Sequence, residues 1–458
     1  MPKSPIPADP STPSFPERPP LGALLLYGFG QLGWSLAAYG VGNLLIYFYM
    51  PPETGKAVFP PFIFQGAVLG IFTLIGILSA AGRFLDAILD PVVANWSDRS
   101  KARYGKRRWF LLRGAVPFAV FATLVFFPPH SSESAVNFAW LAFCLGAYFF
   151  FFAFYVIPYS ALIPELGHSA ADRMRISTLL SIAWALGFIA GNSAYALQGY
   201  FESLGKQPVE AFQQTQVLLN SAALFFMLLP ALFLRENRYA RQTPSEHRLR
   251  DALSIVLGNR DFRVFLTSDL MYWLSLNFIQ LGISYYVTLM LGLDKTDAFT
   301  FSLISFLSSF VFYAPVMWLE KRLGKRKMIQ AAFWIFIGLF VVVGLARLIP
   351  FDKLQLLYAL AVTAAWPLAV FGILPNALIG DLVEREEKSS GRQLAGMFFG
   401  VRAFVMKAGI SLANLIFPSL LLLGRSMENP AGVQLSTVMA VLFSLAGWWA
   451  FRRFREVA

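Results

Sequence analysis

The sequence predicts an all-α integral membrane protein with twelve spanning helices in two six-helix halves. Three observations predict it. The chain has 458 residues, 57% of them hydrophobic and only 14% charged, whereas a soluble chain carries about a quarter charged. Twelve apolar runs are long enough for a bilayer core of ~30 Å, which takes roughly 20 helical residues to cross. The 38 Lys and Arg gather in alternate loops between those runs.

Residues 1–20 are rich in proline and lack a long apolar run, so they read as a disordered cytoplasmic tail. The first apolar run is too long for a signal peptide and has no cleavage pattern, so it should remain a span. Spans are expected at 22–50, 62–96, 109–128, 136–164, 175–200 and 215–234, within an N-terminal bundle 21–234. A polar linker, 235–263, follows. The C-terminal bundle, 264–452, holds spans at 264–292, 299–319, 328–349, 354–379, 394–424 and 433–452, and a cytoplasmic tail 453–458 ends the chain. The second and eleventh spans exceed the core thickness and should tilt or extend beyond it.

Orientation follows from the basic residues. With the N-terminus inside, 28 of them fall in inner loops and tails. Only Lys56, Lys206, Lys295, Arg347, Lys353 and Arg425 fall outside, and Arg83, Arg113, Arg402 and Lys407 lie within spans. That asymmetry puts both termini in the cytoplasm, in the inner or plasma membrane of the cell. The net charge of +12 raises nucleic-acid binding as a question, but topology accounts for it and no nucleic-acid partner is expected. Forty-six Phe and eleven Trp suit a surface in contact with membrane lipids. A monomer is expected.

Several chemistries are excluded. Cys144 is the only cysteine and lies in an apolar run, which leaves no disulfide framework and no Cys metal site. His130, His168 and His247 all fall in expected loops, so no His-ligated centre is expected. No nucleophile, base and orienting group come together, and the chain does not read as an enzyme. No cofactor is expected, and no metal beyond a coupling Na⁺.

The halves echo each other. RYGKRRW (103–109) follows the second span and RLGKRKM (322–328) follows the eighth. Each could be a simple inner basic cluster. Their matching places suggest two parallel repeats, the 6 + 6 organisation of the major-facilitator fold. Candidate gating residues are Asp98, Arg99, Gly105, Lys106 and Arg107 in the first loop region, and Gly324, Lys325 and Arg326 in the second.

Charges inside spans are costly, so each is a functional candidate. Arg83, Asp86 and Asp90 are spaced three and four apart, on one helical face. Counted from Asp98 and Arg99 at 1.5 Å per residue, Asp90 lies ~12 Å deep and Asp86 ~18 Å deep, near the midplane. Two carboxylates one turn apart disfavour each other's ionisation, which suits a proton or a monovalent cation. Pro91 leaves the Ala87 carbonyl without its helical donor, a further candidate oxygen ligand. Alternatively, Arg83 neutralises one Asp and the cluster only joins helices. Lys407, about 20 Å from the inner end of its span, matches Asp86 in depth and should pair with a carboxylate. Arg402 is shallower and suits a structural role. Asp269 reads equally as a cavity residue or a helix-terminal charge.

The residues resemble a known family, the glycoside–pentoside–hexuronide:cation symporters. The resemblance rests on YGFGQLG (27–33), RFLDAILDP (83–91), SDRSKARYGKRR (97–108), IPYSALIP (157–164), GDLVEREEKSSGRQLAG (380–396) and VMKAG (405–409), and it covers most of the chain. It implies that Asp86 and Asp90 bind the coupling cation, with Lys407 close by. The family's cation site also uses an Asn and a Thr, where this chain has Leu89 and Ala153, which tilts the choice from Na⁺ toward H⁺. The sugar-binding Asp residues of its melibiose-carrying branch fall on Ser35 and Val156, so tight galactoside binding is not expected. Candidate cavity residues are Trp34, Ser35, Tyr155, Val156, Tyr159, Asp269, Tyr272, Asn277 and Trp366, mostly aromatic or amide groups in spans one, four, seven and ten.

The resulting expectation is a secondary active transporter, coupling H⁺ or Na⁺ to symport of a small organic solute such as a sugar or glycoside by alternating access. The alternative is a carrier of lysophospholipid-type amphipaths, since eukaryotic relatives in this branch keep the paired Asp without the sugar carboxylates. A more remote alternative is a membrane receptor or regulator that has lost transport. The topology gives a direct test: reporter fusions after Lys206 and after Arg250 should report opposite sides of the membrane, and the same side for both refutes the map.

Overall fold

A computed structural model describes residues 17–53, 59–68, 70–240, 257–390 and 395–454. The first half holds α1 (Leu21–Tyr49), α2 (Leu74–Arg99), α3 (Lys106–Leu124), α4 (Ala135–Leu166), α5 (Ala170–Asn192, continued by Ala194–Ser203) and α6 (Pro208–Phe233). The second holds α7 (Arg260–Tyr285), α8 (Asp297–Leu323), α9 (Lys325–Gly344), α10 (Lys353–Ser390), α11 (Ala395–Leu421) and α12 (Ala431–Phe451). Among the described residues, nine of these are long and apolar enough to cross a membrane. The other three, α2, α3 and α7, are long as well, but they carry charged and amide side chains within their length.

The halves repeat one plan. α1 packs on α5 and α6 as α7 packs on α11 and α12; α4 touches α2 and α3 as α10 touches α8 and α9; α3 meets α6 as α9 meets α12. Both first helices have a π-helical turn near the same end, Gly40–Leu44 within α1 and Tyr286–Met290 directly after α7. The halves meet along α2 with α11 and along α5 with α8. One end of the bundle collects the loops rich in Lys and Arg and is called the basic face below; the other is the opposite face.

Small residues permit the close contacts. A Cβ on Gly33 would come within 2.6 Å of the Ala223 carbonyl oxygen and 2.7 Å of the Met227 amide, so α1 and α6 touch backbone to backbone there.

Some boundaries differ from the sequence expectation. The second helix starts at Leu74, not 62, where Thr73 accepts from the Gly76 amide at 3.2 Å. Pro60, Pro61 and Gly66 break the apolar stretch before it, and Ala67–Val68 and Phe72–Thr73 form a small antiparallel hairpin turning at Gly70. The apolar residues of this stretch serve as a plug instead: Phe59 and Phe62 pack on Phe48, with ring centroids 4.9 and 5.2 Å apart. α6 starts at Pro208, α7 at Arg260, and α10 runs to Ser390. Hydropathy marks where lipid ends, while hydrogen bonding carries a helix on into polar residues beyond it.

The expected tail and linker are ordered at their described edges. Glu17 pairs with Arg238 at 2.8 Å, and Glu236–Tyr239 forms a single helical turn after α6. Residues 1–16, 241–256 (His247 included), 391–394 and 455–458 lie outside the described residues.

Glu236 ties this turn to α3. Its carboxylate accepts from the backbone amides of Arg107 at 3.0 Å and Arg108 at 2.7 Å, placing an anion at a helix N-terminus. Gly105, at φ +114°, leaves the room, since a Cβ there would collide with Glu236. Burial pushes the Glu236 carboxyl up from its ordinary value, and the two amides only partly offset this. Loss of this cap in Glu236→Ala should cost about 1–2 kcal/mol, read as a lower unfolding temperature in detergent. Glu236→Gln, which keeps an acceptor, should cost clearly less; equal losses would refute the capping role.

Candidate functional site

Three charged side chains meet between the halves. Lys407 Nζ of α11 lies 2.5 Å from Asp90 Oδ2 and 2.9 Å from Asp86 Oδ2 of α2. The two Asp are one turn apart, so a single ammonium reaches both. Asp86 is fully buried, whereas the Asp90 side chain, one turn nearer the basic face, is 28% exposed. Asp86 Oδ1 and Asp90 Oδ1 are buried without a hydrogen-bond partner among the described residues. Below Lys407, Ser411 donates to the Ala80 carbonyl at 3.0 Å and holds the same helix pair together.

Arg83 does not join this group. Among the described residues it makes no ion pair with either Asp; its guanidinium lies over the Phe149 ring at 5.4 Å and faces the π turn of α1 at Gly42. With both Asp ionised and Lys407 protonated, the cluster therefore carries one uncompensated negative charge. A buried charge of that kind demands a counter-ion or a proton.

A cavity of about 660 Å³ is lined by α1, α5, α7, α8, α10 and α11. It runs from Thr178 to Asn192 along α5, ~20 Å at 1.5 Å per residue. Trp184, Phe188, Tyr272 and Phe371 supply aromatic faces, and Gln31, Tyr39, Gln280 and Asn192 supply polar groups. Ser302, Ser305 and Ser309 line it from one face of α8. Arg402 of α11 also lines it, held by Asp269 in a two-pronged pair at 2.9 and 3.1 Å and donating to Asn376 Oδ1 at 2.6 Å.

Of the cavity residues expected from sequence, Tyr272 lines this space and Asp269 stands behind Arg402. The others are placed elsewhere. Trp34 packs edge-on against Phe152, Ser35 donates to the Leu32 carbonyl, and Tyr155 donates to the Met227 carbonyl. Tyr159 and Tyr27 bond each other's carbonyls, and Val156 is buried beside them in the core. Asn277 bonds the Trp273 carbonyl of its own helix, and Trp366 packs on Phe312. Selection by residue type found groups that pack or hydrogen-bond within one half. The serine spacing on α8, three and four apart on an otherwise apolar helix, was the readable signal for the missed face.

The gating candidates form two anchored corners at the basic face. Arg107 bonds Ser97, Asp98 and the buried Glu165, and Lys106 reaches Glu165 at 3.2 Å. Arg99 ends α2, and Gly105 opens α3. In the second half, Gly324 turns at φ +81°, Lys325 pairs with Asp381 at 2.5 Å, and Arg326 donates to the Arg452 carbonyl at 2.5 Å. At the opposite face the halves are joined. Lys295 pairs with Glu202 at 2.6 Å, Arg425 pairs with Glu53 at 3.1 Å, and Tyr285 donates to the Met50 carbonyl.

Comparison with known proteins agrees with this architecture. A putative glycoside/cation symporter of Escherichia coli, YagG, is 25% identical over 85% of this chain and 80% of its own. The isoprimeverose transporter of Lactiplantibacillus pentosus is 22% identical over 80% of this chain and 76% of its own. Among solved structures, the nucleoside transporter NupG superposes with a TM-score of 0.67 at 14% identity, covering 95% of this chain and all of that one, and so shares the fold. The family model described as MFS/sugar transport protein matches residues 26–447, nearly the whole chain. The chain therefore belongs to the MFS/sugar transport protein family, with the major-facilitator fold of two six-helix halves.

Proposed function

We propose that this protein is a cation-coupled symporter that carries a sugar or glycoside through the central cavity by alternating access. The observation that carries this reading is the cluster of Asp86, Asp90 and Lys407. The carboxylates belong to one half and the ammonium to the other, and with all three ionised they are one positive charge short of neutral. A transported cation supplies that charge. Relatives named as a glycoside/cation symporter and an isoprimeverose transporter support a sugar cargo.

The basic face is assigned to the cytoplasm by the positive-inside rule. The structure then corresponds to a state sealed outside, by the Lys295–Glu202 and Arg425–Glu53 pairs and by Tyr285 on the end of α1. In this state Asp90, the partly exposed member, exchanges its ion with cytoplasmic water, and Asp86 holds the inner end of the path. The proton is favoured as the coupling ion. Na⁺ wants several oxygen ligands, and here Leu89 and Ala153 offer none, while the Lys407 ammonium already occupies the space between the carboxylates. Neutralising the cluster lets the halves separate on one side and close on the other without burying an unpaired charge.

The test is gradient-driven uptake of isoprimeverose and simple xylosides into proteoliposomes. Asp86→Asn and Asp90→Asn should each reduce accumulation at least tenfold, while exchange of cargo down its own gradient persists. Lys407→Ala removes the competing cation, so the carboxylates hold their proton to higher pH and the pH profile of uptake shifts upward. An imposed pH gradient should drive uptake and a Na⁺ gradient should not. Both Asp variants accumulating cargo like the parent would overturn the coupling role, and Na⁺-driven uptake would overturn the proton.

A further inference from the structure

Arg402 is the one formally charged side chain among the described residues lining the cavity. Its partner Asp269 comes from α7 and does not line that space; its side chain is 1% exposed, against 14% for Arg402. Nε and Nη2 of the guanidinium bond the two carboxylate oxygens, and Nη1 bonds Asn376 Oδ1. Paired N–H donors on a carboxylate fix both the charge and the orientation of the fork. The remaining N–H edge is what the cavity can offer a ligand.

We infer that Asp269 sets the charge selectivity of the carrier: from behind the cavity wall it cancels the Arg402 charge, so the cavity takes uncharged cargo and rejects its anionic counterpart. This deepens the sugar-transport reading and rests on it for the identity of the cargo. Asp269 does not touch cargo; it acts through Arg402 as a positioning residue. Two physical requirements favour this arrangement. A bare guanidinium on a largely apolar wall would attract any organic anion, because the attraction is long-ranged and weakly screened there. A neutral wall of Ser, Gln and Asn groups with aromatic faces instead discriminates by hydroxyl hydrogen bonding and ring stacking. The free guanidinium edge and Asn376 can then serve hydroxyls, with little net field.

The charge is read without knowing the cargo. Cys144 is buried, so Cys144→Ala gives a background in which Ser309→Cys places a single thiol on the cavity wall. Its rates with an anionic and a cationic methanethiosulfonate of similar size are compared as a ratio. Asp269→Asn should raise the anionic-to-cationic ratio on the order of a hundredfold, since one uncompensated charge over roughly 10 Å at an effective dielectric of about 20 speeds the anion about tenfold and slows the cation by as much. Asp269→Asn combined with Arg402→Gln should return the ratio to the parent value. In parallel, binding of p-nitrophenyl β-xyloside and p-nitrophenyl β-glucuronide is measured on the purified protein. The parent should prefer the neutral glycoside, and Asp269→Asn should shrink that preference about tenfold. An unchanged thiol ratio in Asp269→Asn overturns the inference. So does a ratio well below the parent value in the double variant, which still decides the matter if Asp269→Asn alone fails to fold. A parent that binds neither glycoside refutes the sugar reading alone, because the thiol ratio still decides the charge.

Discussion

An ammonium on α11 and two carboxylates on α2 have to share one low-dielectric space, and the rest of the molecule is arranged around that requirement. Lys407 reaches both Asp86 and Asp90 within 3 Å. Neither helix can withdraw without stranding buried charge, a penalty of several kcal/mol per ion. The two halves are thereby joined along α2 and α11, where Ser411 adds a hydrogen bond to the Ala80 carbonyl. They meet again along α5 and α8, where Phe188 and Trp184 face Phe306 at 5.7 and 6.1 Å and the Lys295–Glu202 pair closes the end at the opposite face.

α11 carries both cations of the site. Arg402 and Lys407 are five residues apart, ~7.5 Å along the axis and ~140° around it. One is therefore held by α7 and α10 of its own half, and the other by α2 of the opposite half. A shift of α11 moves both at once. This gives a physical route by which occupancy of the cavity and charge on the α2 carboxylates bias the same element, the requirement for any coupling between two sites.

The opposite face is closed by a mixture of contacts that differ in strength. The aromatic group of Phe48, Phe59, Phe62, Phe126 and Phe212 fills the end of the first half. The ion pairs Lys295–Glu202 and Arg425–Glu53 and the Tyr285 hydroxyl join that half to the second. Partly exposed pairs of this sort contribute little each, which suits a seal that must open in every cycle.

Much of this was legible in the sequence. The helical class, the two-half organisation and the conjunction of Asp86, Asp90 and Lys407 in depth follow from apolar run lengths, the distribution of basic residues and the cost of midplane charge. Those are constraints the bilayer imposes on each helix separately, so a linear string records them. The direction taken by Arg83, the pairing of Arg402 with Asp269, and which faces of α5, α8 and α10 enclose the cavity were not recorded. A polar residue in a span can satisfy itself on its own helix, as Asn277 does, or across a half, as Tyr155 does, or face open space, as Ser309 does. Those outcomes share one composition and one periodicity. Only the rotation of each helix about its axis, fixed by close packing such as that of Gly33 on α6, decides among them.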